Sequence, residues 1–316
     1  MSSCEVINSL SEYVSSVSEI GKTVVNCAGL NETLLFRGHS DSTYELIPGI
    51  GRGRKVNCDI SIFNEERNIL DLAKMKLPDV FKEGITPMET LALAQHYGLP
   101  TRLLDVSENA LVALFFACEK ESDRDGEIIV FKIKDEISNM PIIQAVADSY
   151  RLVRGSDCSL DNFLRSAVNQ PYFLEHKHMV ETCFFSEASR EKVKNTEYEW
   201  ISNSDKWIEG VCSKPIFVYA PIRTLRQQTQ RGRYILFPNK IENYLHDTDK
   251  KAFTSIIDPI GKNDPCIVKT FSIPASAKGK LLTELKLFGI CREYLFPDSI
   301  DEVCQGIKAT CSDRVK

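Results

Sequence analysis

Three stretches of this chain set polar and charged side chains inside apolar sequence, and each carries the residue types that handle an anion or a proton. The first is Phe36-Arg-Gly-His39, where the strand-like run Thr33-Leu-Leu-Phe36 ends on an arginine. A buried guanidinium needs an anionic partner, because an unpaired buried charge is costly. Arg37 could clamp a phosphate through its fork of donors. It could equally form an internal ion pair with Asp105 or Glu65, and the residues alone do not choose between the two. Gly38 would let a ligand or another backbone come close.

The second stretch is Ala94-Gln-His-Tyr-Gly-Leu-Pro-Thr-Arg-Leu-Leu-Asp105. Gln95, His96 and Tyr97 crowd a helix end, and Thr101, Arg102 and Asp105 bracket an apolar pair. This is either a site or a buried polar network that fixes the fold. The third runs from Arg223 to Arg233, with four arginines and three glutamines between two apolar strands. It would grip phosphates or form a solvated hairpin loop, with Gln230 placed at a strand start.

Other motifs carry less. There is no Gly-x-Ser-x-Gly elbow, Walker A loop or His-Glu-x-x-His pair. Gly49-Ile-Gly-Arg-Gly53 has the wrong spacing for a dinucleotide fingerprint and reads as a turn. Glu175-His-Lys-His178 with Glu181 could place a histidine and a carboxylate on one helical face, but no second pair completes a metal set, so no metal is expected.

The elements that must position these residues follow from periodicity and punctuation. A loose helical pattern runs from Val6 to Ala28, ended by Gly29. Ile60 to Phe81 has helical periodicity. Thr86, Pro87 and Glu89 form a capping signal for a helix reaching Tyr97, with Gly98 as its stop. Thr101 to Leu104 reads as a short buried strand. Asn109 to Glu119 is a helix apolar on most sides, hence deep in the core. Strands are expected at Ile128–Ile133, Ile216–Ala220, Arg233–Phe237 and Ile267–Ile273, and Tyr44 to Gly53 is irregular. Ala275 to Phe288 is a helix ended by Gly289, and Asp301 to Thr310 a final one. Between Asp135 and Lys214 lies an elaboration with helical pieces at Leu160–Val168 and Pro171–Glu181.

Composition bounds the rest. The chain has 316 residues, 43% hydrophobic and 26% charged, enough to bury a real core. A net charge of −5 gives no overall basic field, so a nucleic acid would have to meet a local patch. The 11 cysteines include no Cys-x-x-Cys pair, and residues such as Cys118 and Cys183 read as small buried hydrophobes in a reducing compartment. Met1 to Ser18 lacks a signal-peptide core, and no run of about 18 apolar residues suggests a membrane span. A cytoplasmic protein is expected.

Taken together, the three stretches resemble the FRG domain family, named for its Phe-Arg-Gly signature. Phe36-Arg-Gly38 is followed by Tyr44, Leu46, Pro48 and Arg52. The second stretch is followed by Asn109, Ala113, Phe116 and Ala117. Arg226 to Gly232 resembles the family's arginine-glutamine-glycine motif, and Leu282, Leu285, Gly289-Ile290 and Leu295-Phe-Pro297 resemble its end. The resemblance implies an N-terminal helical segment at 1–32, a domain at 33–308 with a mainly helical insertion at about 135–214, and a tail at 309–316. A more distant similarity is to ADP-ribosyltransferases. These carry Arg-Gly at the end of a first core strand, a Ser/Thr strand followed by an apolar helix, and a third strand opening with Glu or Gln. It implies an α+β fold with a split mixed β-sheet core and flanking helices.

The resemblance further implies a toxin that moves ADP-ribose from NAD to a host macromolecule, RNA or DNA among the candidates, in phage defence, with a protein antitoxin as partner. On this view Arg37, His96 and Gln230 are catalytic. Arg37, Gly38, His39, Tyr44, Tyr97, Thr101 and Arg102 hold NAD, and Arg226, Gln228 and Arg231 hold the acceptor. The segment Gln228-Thr-Gln230 departs from the usual pattern, since it offers glutamine in place of a catalytic glutamate. The rivals are a non-catalytic module for a nucleotide or nucleic acid, and a hydrolase using His96 and Asp105 as an acid–base pair.

Overall fold

The computed structural model describes residues 4–25, 32–52, 65–134, 136–137, 141–150, 153, 158–179, 214–219, 221, 224–244, 247–254 and 256–297. The expected helix at Asp301–Thr310 and the residue Cys183 lie outside them.

Among the described residues, one mixed sheet of eight strands organises the fold. In chain order the elements are β1 (Cys4–Val6), α1 (Leu10–Val25), β2 (Glu32–His39), α2 (Glu66–Lys76), α3 (Pro87–His96), β3 (Leu103–Ser107), α4 (Ala110–Cys118) and β4 (Gly126–Lys134). The elaboration supplies β5 (Glu136–Ile137), α5 (Pro141–Tyr150), β6 (Cys158–Ser159), α6 (Leu160–Ala167) and α7 (Pro171–Glu175). Then follow β7 (Ile216–Tyr219), α8 (Leu225–Thr229), β8 (Gly232–Leu236), β9 (Ile241–Tyr244), β10 (Asp247–Phe253), β11 (Ile267–Ile273), α9 (Ala275–Leu287) and α10 (Arg292–Leu295). The large sheet has the order β1-β11-β4-β2-β3-β8-β7-β5. Among the described strands only the β1–β11 and β5–β7 pairs are parallel. A smaller antiparallel sheet joins β6, β10 and β9. The fold is therefore α+β, with a mostly antiparallel central sheet.

Strand alternation explains why both faces of the sheet are dry. Along β4, Ile128 and Val130 pack with α1, α4 and α9, while Ile129, Phe131 and Ile133 face Leu46, Ile50, Ile257 and Ile260 on the other side. Helices α2, α3, α5 and α6 build a third apolar cluster against Leu103, Tyr234 and Leu236. Helix α4 carries apolar residues all round because it lies between the sheet and α9. It sits so close that a Cβ on Gly38 would fall 1.9 Å from the Ala113 carbonyl oxygen, and one on Gly126 2.4 Å from that of Ala117. The backbone that Gly38 admits is thus α4.

Several expected elements differ from those observed. Val6 belongs to β1, so the first helix starts later, at Leu10. The strand expected at Thr101–Leu104 lies two residues further on, as Leu103–Ser107. Its register is set by pairing with β8 from Leu103↔Leu236 to Ser107↔Gly232, because Leu104 and Val106 must both enter the core. The polar stretch after Phe237 contains β9 and β10, which have no clear apolar alternation.

Candidate active-site cleft

Strand β2 pairs with β4 along its whole length, from Glu32↔Lys134 to His39↔Glu127. Its pairing with β3 is limited to Phe36↔Ser107. Beyond that point the two strands part, and the gap opens into a cleft of about 1410 Å³. Arg37 and His39 line it from β2, Gln95 and His96 from the end of α3, Asp105 from β3, and Gln230 from the end of α8.

Arg37 bridges the split. Its Nη1 donates to the Asp105 carbonyl oxygen at 2.6 Å, and its Nε donates to His39 Nε2 at 3.3 Å. A histidine nitrogen that accepts leaves the ring proton on the other, so His39 Nδ1 donates to Glu127 Oε1 at 3.3 Å. Burial lowers the His39 pKa, which favours the neutral ring. Glu127 is held in turn by Lys262 Nζ at 2.8 and 2.9 Å. Burial also lowers Arg37, to about 10, with Asp105 opposing the shift and Arg52 adding to it. Arg37 stays charged at neutral pH. Arg52, fixed to the Ile47 carbonyl at 3.2 Å, lines the same cleft.

The second stretch begins where α3 ends. Thr86 and Glu89 form a reciprocal cap at its start, so the helix is set from its first turn. At its other end Gln95 Nε2 donates to Asp105 Oδ2 at 2.9 Å. Thr101 Oγ1 donates to Gln95 Oε1, which fixes the amide's orientation, and accepts from Leu103 N at 3.2 Å. Asp105 pairs directly with Tyr234 of β8. Burial, then the charge of Asp105, raises the Tyr234 pKa, so its phenol keeps its proton. Gln227 Nε2 donates to Tyr234 Oη at 2.6 Å.

The third stretch is a short helix and not a bare loop. Thr224 and Gln227 form its capping box. Gln230 is its C-cap, Arg231 turns the chain with φ of +45°, and β8 begins at Gly232. Gln230 therefore closes a helix two residues before the strand, where a strand start was expected. Its Nε2 donates to the Leu295 carbonyl at 3.0 Å, and its own carbonyl accepts from Ser107 Oγ at 2.7 Å. Arg226 lies over the Phe296 ring at 4.7 Å and Arg292 at 5.0 Å, within cation–π range. Arg292 also pairs with Glu119.

The model of the FRG domain family matches residues 32–126. The chain carries an FRG domain. The match runs from β2 to the first residue of β4, and so holds the first two stretches of the cleft; the third comes from outside it. Comparison with curated proteins and with solved structures gives no match.

The sequence-derived site residues divide against this geometry. Arg37, Gly38, His39, Tyr44, His96, Arg226 and Gln230 line the cleft. Arg102 does not: it is 1% exposed, and its guanidinium grips Glu66 through both Nε and Nη2. It also donates to the Phe237 carbonyl at 2.9 Å and Asn239 Oδ1 at 3.1 Å, with Tyr150 stacked at 4.3 Å. Its place in the signature is architectural, because its donors are spent on Glu66 of α2 and on the Phe237 and Asn239 oxygens. Thr101 is likewise buried and orients Gln95. Tyr97 is 54% exposed beside His96, and Gln228 and Arg231 face solvent outside the cleft. The internal ion pair weighed for Arg37 is not formed with a side chain; Asp105 offers its carbonyl. Gln95, Ser107, Tyr234, Arg292 and Phe296 join the lining beyond the expected set. The Thr224-x-x-Gln227 spacing was the one legible sign of α8.

Proposed function

We propose that the cleft binds NAD and that the protein is an ADP-ribosyltransferase-like enzyme, transferring ADP-ribose to a macromolecule. The observation that carries this is the convergence of Arg37, Asp105 and Gln230 on one cleft from three adjoining strands, β2, β3 and β8, or the turns that enter them. These strands bear, in chain order, an Arg-Gly near the strand end, a strand that ends on Ser107 and leads into an apolar helix, and a glutamine before the strand. In this reading Ser107, the last residue of β3, takes the place expected of Thr101. The cleft, at about 1410 Å³, exceeds the ordinary small-ligand range of roughly 300–1,000 Å³. It has room for a dinucleotide and for the reacting end of an acceptor.

The chemistry follows from charge. Cleavage of the nicotinamide–ribose bond builds positive charge on the ribose, while the pyrophosphate stays anionic. Arg37 and Arg52 suit the pyrophosphate, and Tyr44, 45% exposed, offers a face for a ring. Groups held rigidly before the reaction stabilise developing charge without reorganising, and the Glu127–His39–Arg37 chain supplies that rigidity at the anchor. Arg226 and Arg292, beside Phe296 at the rim, suit the phosphates of a nucleic-acid acceptor.

The test is incubation with NAD labelled in its adenylate half, together with separate RNA, DNA and protein fractions. Transfer to one fraction is expected, reduced roughly 100-fold or more in Arg37→Ala, in line with removal of one pre-set electrostatic group. Transfer undiminished in Arg37→Ala, or no transfer and no nicotinamide release with any fraction, contradicts the proposal.

A further inference from the structure

The cleft has glutamine at the end of α8, where a carboxylate would be expected to face the reacting ribose. Gln230 is also poorly disposed to act there, since its amide is tied to the Leu295 carbonyl. A different carboxylate is held in the same cleft. Asp105 is an exposed acid in the middle of β3, flanked by the buried residues Leu104 and Val106. A charged side chain at the centre of an otherwise buried strand is retained against the local preference for apolar residues.

Its surroundings are arranged around one oxygen. Gln95 donates to Oδ2, and Thr101 fixes the face that Gln95 presents. The main chain of the same residue is fixed by Arg37 on its carbonyl and by pairing with Tyr234. Both the backbone and one carboxylate oxygen are thus set, within the gap where β2 and β3 part. A surface acid does not need a three-residue chain to orient it.

We infer that Asp105 is the catalytic carboxylate of the cleft, an inference that rests on the NAD-dependent reading above. Its free oxygen accepts a hydrogen bond from a ribose hydroxyl and stabilises the positive charge that develops on the ribose. The C–N bond to nicotinamide breaks, and its electron pair leaves with neutral nicotinamide. The acceptor's oxygen or nitrogen supplies the pair for the new bond to the same ribose carbon, and its proton passes to the Asp105 carboxylate and then to water. The sum is NAD plus acceptor giving ADP-ribosyl acceptor, nicotinamide and one proton. Gln95 is the positioning residue, and Gln230 shapes the site without reacting.

The experiment compares the whole protein with Asp105→Asn, Gln95→Leu and Gln230→Ala. NAD affinity is measured by titration calorimetry, and turnover by nicotinamide release and label transfer. Asp105→Asn is expected to lower kcat by roughly 100- to 10,000-fold, the range for a lost acid–base group, with NAD affinity within about threefold. Gln95→Leu leaves the carboxylate in place but loose, and is expected to lower kcat about 10-fold with the same affinity. Gln230→Ala is expected to retain more activity than Asp105→Asn. Turnover by Asp105→Asn within about threefold of the unmodified protein overturns the inference and leaves the NAD reading intact. Loss of NAD binding in Asp105→Asn overturns it too, because the residue then serves binding. Should the asparagine variant fail to fold, Gln95→Leu decides: unchanged kcat overturns the inference. No nicotinamide release by the unmodified protein sinks the underlying reading, and the inference with it.

Discussion

Replacing Glu66 by alanine isolates the part of the FRG signature that serves the fold. Glu66 and Arg102 are 5% and 1% exposed, and the guanidinium meets the carboxylate through two nitrogens. Removing one partner of such a pair leaves an uncompensated buried charge, at a cost of about 3–5 kcal/mol. Against a total stability of about 5–15 kcal/mol this is a large loss. The paired change Glu66→Leu with Arg102→Met removes the charge as well. It strips a donor from the Phe237 carbonyl and from Asn239 Oδ1, at about 1–3 kcal/mol for an unsatisfied group. Across the two acceptors this comes to about 2–6 kcal/mol, so the double variant should be about as destabilised as Glu66→Ala. Urea unfolding followed by circular dichroism measures both. A Glu66→Ala midpoint indistinguishable from that of the unmodified protein, or a double variant as stable as the unmodified protein, refutes the reasoning. NAD affinity in the folded double variant should be unchanged, because neither residue lines the cleft.

Other outcomes follow from the same geometry. Gly38→Ala should cost at least about 1–3 kcal/mol, since the new methyl meets a helix carbonyl and α4 must move; a thermal melt reads it. Lys278→Met should destabilise by about 1–3 kcal/mol, because the Lys278 amine donates to the carbonyls of Ser40, Lys120 and Glu121. His39 is held neutral by burial, so its folded pKa lies below the unfolded value near 6.5. The unfolded chain then binds more protons as pH falls, and stability that is full above about pH 6.5 declines toward the folded pKa. Melting temperatures between pH 7.5 and 5.5 should fall less steeply in His39→Gln, and an identical slope would count against this.

The legible parts of the molecule were those with local chemistry. The capping box at Thr86, the apolar helix that follows Asn109 and the strand Ile267–Ile273 are visible in the sequence because each is set by neighbouring residues. The frame of β3 is not, since it depends on pairing with β8, more than a hundred residues away. The same holds for β10, which lies between its neighbour β9 and a distant partner, β6, in the elaboration. For the site, polar residues in apolar surroundings marked the right segments but not the direction of each side chain. Arg102 and Asp105 look alike as charges beside Leu103 and Leu104. The position of Glu66 on α2 separates the buried ion pair from the acid in the cleft.

The most direct measurement of the central claim is calorimetric titration of NAD into the unmodified protein and into Arg37→Ala. One site per chain is expected, with affinity reduced at least about 10-fold in the variant, as loss of a charge-assisted contact of about 1.5–3 kcal/mol requires. Saturable binding unaffected by Arg37→Ala, or no binding at millimolar NAD by the folded protein, would contradict it.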